Sequence, residues 1–178
     1  NFKDDPKKFE NLFTELFEKD FDLQLHEISK LENGLLKGLI ISVKDLFDVQ
    51  GYITRGGTRF LKPDISLSDA KCISNIRKAG GLLLGHTNMT ELAYSGLGIN
   101  PHYGTPDNPL YPGAVPGGST SGGAVSVVLD LSDIAIGTDT GGSTRIPAAF
   151  TGITGFKPTQ DSISRDGVLT LSSSLDSV

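Results

Sequence analysis

The stretch GGSTSGGAVSVVLDLSDIAIGTDTGGSTRIPAAFTGITGFKPT, residues 117–159, decides how this chain folds. It contains two glycine clusters, at 117–123 and 137–143, and each has hydroxyl side chains among its glycines. Glycine lets the backbone turn sharply and approach a ligand closely, so such runs can point several N–H groups at one place. Between the clusters, Ile134–Ile136 is a short apolar run typical of a buried strand. The stretch therefore predicts a buried strand flanked by two glycine loops suited to binding.

Upstream of this stretch, two more buried strands are predicted with a helix between them. Leu35–Val43 is a nearly continuous apolar run that ends at the charged pair Lys44-Asp45, and Leu82–Gly85 is a second run. Between them, Ser68–Ala79 has a helical apolar face, with Ser68 as its predicted N-cap and two glycines after it. Parallel strands need such a crossover, so the pattern indicates an α/β fold. Residues 100–116, rich in Pro, Gly and Asn, predict an irregular loop.

The N-terminal part predicts a separate helical segment, residues 1–34, ahead of a core at 35–178. Pro6–Phe21 places five apolar residues at helical spacing, with Asp5 as the predicted N-cap. These apolar residues are Phe9, Leu12, Phe13, Leu16 and Phe17. The chain starts without Met and ends without a capping pattern, so we expect it to be part of a longer protein.

Composition narrows the class of protein. Of the 178 residues, 37% are hydrophobic and 21% are charged, values typical of a folded globular chain. The net charge of −5 and the scattered Lys and Arg residues argue against a nucleic-acid partner. No apolar stretch approaches the roughly 20 residues of a membrane-spanning helix. The single cysteine, Cys72, excludes an internal disulfide, and we expect it to pack in the core of a cytoplasmic protein.

Several known glycine-rich motifs do not match. A Walker-type phosphate loop needs Lys and then Ser or Thr after its last glycine, whereas Ala124 and Val125 follow Gly123. No Gly-x-Gly-x-x-Gly follows a predicted strand, and the Gly-x-Ser-x-Gly elbow of α/β hydrolases is absent. The three histidines, His26, His86 and His102, form no cluster with metal-ligand spacing, so we expect neither a metal nor a cofactor.

What remains is a close resemblance to the amidase signature family. Residues 117–159 resemble that family's defining segment almost position by position, and Ser42–Asp45 resembles its lysine strand. Gly85–Glu91 is similar to its second core strand, and Ser173–Asp176 to the run that follows the defining segment. The resemblance covers roughly Gly38 to the end, and it departs from the family at Ile40, where members often have proline.

The resemblance implies a role for each of several residues. It makes Lys44 the catalytic lysine, Ser119 a bridging serine held in a cis peptide, and Ser143 the nucleophile. The backbone N–H groups of Thr140, Gly141, Gly142 and Ser143 become the expected oxyanion hole, since they precede a helix start. We expect a supporting, hydrogen-bonding role for four more residues, namely Thr120, Ser121, Asp139 and Arg145.

Elementary chemistry is consistent with a lysine base. A serine hydroxyl is a poor nucleophile until a neighbouring base accepts its proton, and no histidine lies in either glycine cluster. Burial disfavours an ammonium ion and lowers a lysine pKa, so Lys44 at the end of an apolar run suits the task. The structural alternatives are that Lys44 is a solvated strand end and that Ser119 and Ser143 are ordinary turn residues.

The resemblance implies an α/β/α layered mixed sheet, present here as roughly the first two-fifths of a family member. It implies hydrolysis of a small carboxamide through an acyl-enzyme, without nucleic acid or membrane, by a protein that is a homodimer or has partner subunits. Two alternatives stay open. One is the glutamine-hydrolysing A subunit of a glutamyl-tRNA(Gln) amidotransferase, although the loop at 94–116 looks more like that of free-standing amidases. The other is a non-catalytic module whose glycine loops bind an anion.

Overall fold

A four-stranded mixed sheet is the centre of the fold. The computed structural model describes residues 9–61 and 64–178. The strands are β1 (Phe13–Leu16), β2 (Ile40–Lys44), β3 (Leu82–Thr87) and β4 (Ile134–Ile136). The sheet order is β1-β3-β2-β4, and β2 runs parallel to both β3 and β4, whereas β1 is antiparallel to β3. The predicted mixed sheet is therefore confirmed.

Helices connect and cover these strands. The described part of the chain contains α1 (Phe21–Lys30), α2 (Lys71–Lys78), α3 (Ser121–Val128) and α4 (Arg145–Thr151), with short 3₁₀ turns at Glu18–Asp20 and Glu91–Ala93. The helix α2 lies in the crossover from β2 to β3, and α3 lies between β3 and β4 along the chain. Such crossovers allow neighbouring strands to run parallel.

The two faces of β2 explain the layered architecture. Side chains alternate along a strand, so Ile41 and Val43 point to one face and Ser42 and Lys44 to the other. Ile41 and Val43 are buried in the apolar core together with Ile73 of α2. On the opposite face, Ser42 Oγ lies 2.9 Å from Ser126 Oγ of α3. Helices thus cover both faces of the sheet, as the α/β/α prediction requires.

The predicted helix Pro6–Phe21 is wrong over the residues that the structure describes. Phe13–Leu16 is a strand, and the first α-helix begins only at Phe21. The strand pairs with the edge of β3, and the chain around it adds backbone hydrogen bonds from Asn88 N–H to Leu12 O (2.8 Å) and from Phe17 N–H to Leu84 O (3.0 Å). Pairing with the sheet therefore overrides the helical spacing of the apolar residues. Asp5 and Pro6 lie outside the described residues.

Three other element boundaries differ from the prediction. The strand predicted at 35–43 begins five residues later, because 35–38 form turns in which Gly38 has a φ of +85°. The strand predicted at 82–85 extends to Thr87, where it pairs with Lys44. The helix predicted at 68–79 begins at Lys71, and its N-cap position is Ala70 instead of Ser68. The loop at 100–116 and the burial of Cys72 agree with the sequence analysis. The predicted strand at 134–136 is present, but it is not buried as expected, because it lies at the sheet edge and Ile134 is 40% exposed.

The first glycine cluster is needed for close packing at the sheet edge. A Cβ on Gly122 would lie 2.3 Å from Leu12 O and 2.8 Å from Asn88 N, far inside normal contact distance. The Gly122 N–H donates to Asn88 O at 2.9 Å. A glycine here therefore lets the N-terminus of α3 lie directly against the ends of β1 and β3, which fixes the position of the preceding Ser119.

Candidate active site

Lys44 is the centre of a buried polar cluster at the end of β2. Its side chain is completely buried. Its Nζ donates to Ser119 Oγ at 2.8 Å, to Thr138 Oγ1 at 2.8 Å and to Thr138 O at 3.5 Å. The two glycine clusters thus meet at one amino group, one through Ser119 and the other through Thr138. The alternative of a solvated strand end for Lys44 is excluded.

The protonation of Lys44 is shifted by this environment. Burial lowers its pKa to about 7, against the opposing influence of the Asp139 and Asp176 carboxylates. Burial disfavours the ammonium form because no water solvates the charge. Near neutral pH a substantial fraction of Lys44 is therefore the neutral amine, which can accept a proton.

Ser119 is fixed by its backbone as well as by Lys44. The Gly118–Ser119 peptide is cis, as the resemblance implied. Gly118 N–H donates to Gly96 O at 2.8 Å, and Ser119 O accepts from Thr90 N–H at 3.0 Å. Ser119 is fully buried, so its hydroxyl faces the cluster and not bulk solvent.

Ser143 lies at the rim of this cluster. Only 8% of Ser143 is exposed, and its carbonyl accepts a hydrogen bond from Thr120 N–H at 3.2 Å. Ser143 is thereby tied to the residue that follows Ser119. Within the described part of the chain, its hydroxyl makes no hydrogen bond, so the structure joins Lys44 to Ser119 directly and Ser143 to them through the backbone.

The Asp139 carboxylate organises the loop that leads to Ser143. It accepts hydrogen bonds from the N–H groups of Gly142 (2.8 Å) and Thr144 (3.2 Å), and from Arg145 Nε (3.0 Å) and Nη2 (2.9 Å). Burial acts to raise the pKa of Asp139, but Arg145 and the N–H donors outweigh it and lower the pKa. Asp139 therefore stays ionised, and its carboxylate joins residues within the second glycine loop and the helix start after it.

Three of the four N–H groups expected to form an oxyanion hole are free in the part of the chain that the structure describes. Gly142 N–H is used by Asp139, so it is unavailable as an oxyanion donor. Across the described residues, the N–H groups of Thr140, Gly141 and Ser143 have no acceptor. Of the four N–H groups expected as oxyanion donors, these three are therefore free, whereas Gly142, with a φ of +130°, donates to Asp139.

The two other supporting residues differ in their contacts. Ser121 Oγ donates to Asn88 O at 3.5 Å, at the end of β3 and not to another residue of the site. The Thr120 hydroxyl is buried without a partner among the described residues, so Thr120 contributes through its backbone N–H.

Sequence reasoning missed two residues of the site. Thr138 supplies a hydroxyl to Lys44, and Asp176 accepts a hydrogen bond from the Thr140 hydroxyl at 2.5 Å. Both lie in stretches that carry the family resemblance, so their position was indicated although their contacts were not. Sequence separation hides such contacts, because Thr138 is 94 residues from Lys44.

The histidines lie apart from this cluster. His86 is buried with its Nε2 3.0 Å from Phe47 O, and His102 Nε2 lies 2.7 Å from Glu91 Oε1. No group of three potential metal ligands is found in residues 9–61 and 64–178. In the same ranges, every helix is too short or too polar to cross a membrane.

Comparison with known proteins agrees with this geometry. The Amidase family model matches residues 10–178. The chain is 46% identical over 145 residues to Amidase 1 of Arabidopsis thaliana, covering 80% of this chain and 34% of that protein. It is 48% identical over 141 residues to the A subunit of the glutamyl-tRNA(Gln) amidotransferase of Chromohalobacter salexigens, covering 79% of this chain and 29% of that protein. A crystal structure of an amidase superposes with a TM-score of 0.88 at 38% identity, covering 99% of this chain and 41% of that one. The chain therefore spans about a third of the length of these curated relatives.

Proposed function

The chain belongs to the Amidase family, and on this premise we propose that it carries the catalytic residues of an amidase that hydrolyses a carboxamide through an acyl-enzyme. The observation that carries the proposal is the hydrogen bond of 2.8 Å between Lys44 Nζ and Ser119 Oγ, with Lys44 fully buried. A lysine whose pKa is lowered to about 7 is matched to proton transfer at neutral pH.

In the first half of the proposed reaction, the Ser143 oxygen attacks the carbonyl carbon of the amide. The Ser143 proton passes to the Ser119 oxygen while the Ser119 proton passes to the neutral Lys44 amine. The tetrahedral oxyanion is stabilised by the free N–H groups of Thr140, Gly141 and Ser143. The C–N bond then breaks, and the proton held by Lys44 returns through Ser119 to the leaving nitrogen.

In the second half, water hydrolyses the acyl-enzyme. Water attacks the Ser143 ester, Lys44 accepts its proton through Ser119, and the carboxylic acid leaves as Ser143 regains a proton. For proton transfer between the two serines, Ser143 Oγ has to approach Ser119 Oγ. Within the described residues the Ser143 hydroxyl makes no other hydrogen bond, so its side chain can rotate towards Ser119. The single buried thiol Cys72 is consistent with a cytoplasmic setting for the reaction.

A second candidate is the glutamine-hydrolysing A subunit of an amidotransferase. The identity of 48% with such a protein favours it as much as the identity of 46% with Amidase 1 favours a free-standing amidase. Both candidates use the same acyl-enzyme chemistry and differ in whether the released ammonia is passed to a partner. Glutaminase activity that requires a partner protein would select the transferase.

The test is Lys44→Ala in the full-length protein, with Lys37→Ala as the matched control, since Lys37 is exposed and its Nζ donates to Leu31 O on the surface. We expect Lys44→Ala to lose at least ~10³-fold in amide hydrolysis, as when one member of a catalytic triad is removed, and Lys37→Ala to keep full activity.

A serine-directed phosphonate followed by mass spectrometry identifies the nucleophile independently. We expect the label on Ser143 in the wild type and no label in Ser143→Ala. Retained hydrolysis by Lys44→Ala, or a label on Ser119, would contradict the mechanism. A wild type that hydrolyses no carboxamide and takes no label would favour the anion-binding alternative.

A further inference from the structure

Asp176 is a buried carboxylate next to the proposed oxyanion site. Only 4% of it is exposed. It accepts hydrogen bonds from the Thr140 hydroxyl at 2.5 Å, from Leu171 N–H at 2.9 Å and from Ser172 N–H at 3.1 Å. The carboxylate therefore joins two segments that are far apart in sequence, the loop at 139–143 and the turn at 171–176.

A backbone bridge holds the same two segments together. Asp139 N–H donates to Ser177 O at 2.8 Å, and Ser177 N–H donates to Asp139 O at 3.1 Å. This bridge fixes Asp139, whose carboxylate holds the far side of the loop at Gly142. Thr140 follows the bridge directly, and its side chain is anchored by Asp176.

The loop thus has two anchors of different kinds. Asp139 holds Gly142 and Arg145, and Asp176 holds Thr140, whose own N–H is one of the three free donors. Oxyanion donors act in catalysis only when they already point at the position where charge develops. We propose that Asp176 is a positioning residue for amide hydrolysis, which fixes Thr140 and the free N–H groups of the loop; this inference rests on the proposed function.

Electrostatics provides a second link between Asp176 and the site. The Asp176 charge acts to raise the pKa of Lys44, together with Asp139 and against burial. Three further charged or titratable groups lie close to these residues. Arg145 is paired with Asp139, Lys157 Nζ donates to Ser177 Oγ at 3.2 Å, and Asp45, which follows Lys44, is buried with its pKa raised to about 7. Removal of the Asp176 charge therefore favours the neutral form of Lys44.

The experiment compares Thr140→Val, Thr140→Ser and Asp176→Asn in the full-length protein acting on a carboxamide. Asp161→Asn is the matched control, because Asp161 is 69% exposed and its carboxylate pairs with Arg165, four residues further along the chain. We expect Thr140→Val to lose roughly tenfold in kcat with little change in KM, and Thr140→Ser, which keeps the hydroxyl, to stay near the wild type. Asp161→Asn should match the wild type.

For Asp176→Asn we expect a loss of kcat and a shift of the acid limb of the kcat/KM profile to lower pH. A residue that only stabilised the fold would lower the rate equally at every pH and leave the limb in place. If Asp176→Asn does not fold, the Thr140→Val and Thr140→Ser pair decides alone. Full activity of Thr140→Val would overturn the inference, and so would an unmoved limb in folded Asp176→Asn once Asp45→Asn has shown that the limb belongs to Lys44.

Ser143→Ala separates failure of this inference from failure of the proposed function. Activity in Ser143→Ala would contradict the hydrolytic mechanism itself. An inactive Ser143→Ala together with a fully active Thr140→Val would leave the mechanism intact and refute only the role of Asp176.

Discussion

At the scale of single residues, Lys44 combines two properties that rarely occur together: a basic amine and complete burial. Hydroxyl partners at 2.8 Å accept from its ammonium form, and the same hydroxyls can donate to its neutral form. Ser119 and Thr138 therefore satisfy Lys44 in both protonation states. A proton can be gained and lost there without leaving a buried polar atom unpaired.

The first prediction concerns the pH dependence of hydrolysis. The neutral Lys44 amine is the proposed base and its pKa is about 7, so kcat/KM should rise with pH and level off above about 7. Asp45 is a second candidate for this limb, because burial raises its pKa to about 7 as well. The measurement is kcat/KM across roughly pH 5.5 to 8.5 for the wild type and Asp45→Asn. The limb should persist in Asp45→Asn, and its disappearance there would assign it to Asp45.

The second prediction compares two adjacent glycines. Gly142 has a φ of +130°, and a Cβ on it would lie 2.7 Å from Ile146 Cδ1, whereas a Cβ on Gly141 would have no atom within 4 Å. Gly142→Ala should therefore lose about 1–3 kcal/mol in the free energy of unfolding, while Gly141→Ala should stay within about 0.5 kcal/mol of the wild type. Urea unfolding of both variants measures this difference. Equal stabilities would show that the loop relaxes to accept a side chain.

Residue types and spacing predicted much of the candidate site, because short motifs keep catalytic groups at fixed places in the chain. In the structure Lys44 contacts Ser119, and Arg145 contacts Asp139. Hydrogen-bond direction could not be predicted in the same way. Gly142 N–H donates to Asp139, and not to a substrate, because of the local backbone angles. The sequence Gly141-Gly142 does not determine those angles.

At the scale of elements, the N-terminal region shows where pattern reasoning fails. The spacing of apolar residues along the sequence carries no information about the unpaired edge of β3. Pairing with that edge makes residues 13–16 a strand. By contrast, β4 and the core of β2 were predicted as strands from their short apolar runs, although β4 lies at an edge of the sheet and its Ile134 is exposed. The same edge of β3 also explains the burial of Gln24.

Beyond the end of β1, the side chain of Gln24 pairs with the backbone of β3 in place of a neighbouring strand. Its side-chain Nε2 donates to Leu83 O at 3.1 Å, and Leu83 N–H donates to its Oε1 at 2.8 Å. A single amide group therefore satisfies both backbone groups of Leu83, as a neighbouring strand would. This pair of bonds fastens α1 to the sheet.

The third prediction tests this contact. Gln24→Ala leaves a buried N–H and C=O of Leu83 unpaired, so it should lower the free energy of unfolding by about 2–4 kcal/mol. Gln50→Ala is the matched control, since the Gln50 side chain is exposed, and it should change stability by less than about 0.5 kcal/mol. Urea unfolding provides the comparison. Similar small effects in both variants would show that water or a shifted α1 replaces the amide.

At the scale of the whole molecule, the buried Lys44 makes the free energy of unfolding depend on pH. Lys44 has a pKa of about 7 in the folded protein and an ordinary value of 10.5, so between these values the unfolded chain binds a proton that the folded chain lacks. Stability contributed by this group therefore rises with pH above about 7. Asp45 has the opposite sign at lower pH, because its folded pKa of about 7 lies above 3.8, and His86, whose pKa is lowered to about 4, opposes Asp45 there.

The last prediction uses the window from about pH 8 to 9, which lies above the pKa values of Asp45 and His86 in the folded protein and does not exceed the ordinary Cys72 pKa of 9.0, which burial raises to about 11. Lys44→Met removes the titrating amine, so the free energy of unfolding of the wild type should increase with pH relative to Lys44→Met, by up to ~1.4 kcal/mol per pH unit. Lys37→Met, at an exposed lysine, should run parallel to the wild type. Urea unfolding at several pH values across this window gives the three slopes. If the wild type and Lys44→Met run parallel, Lys44 keeps its ordinary pKa in the folded protein, and a neutral lysine base at neutral pH would lose its physical foundation.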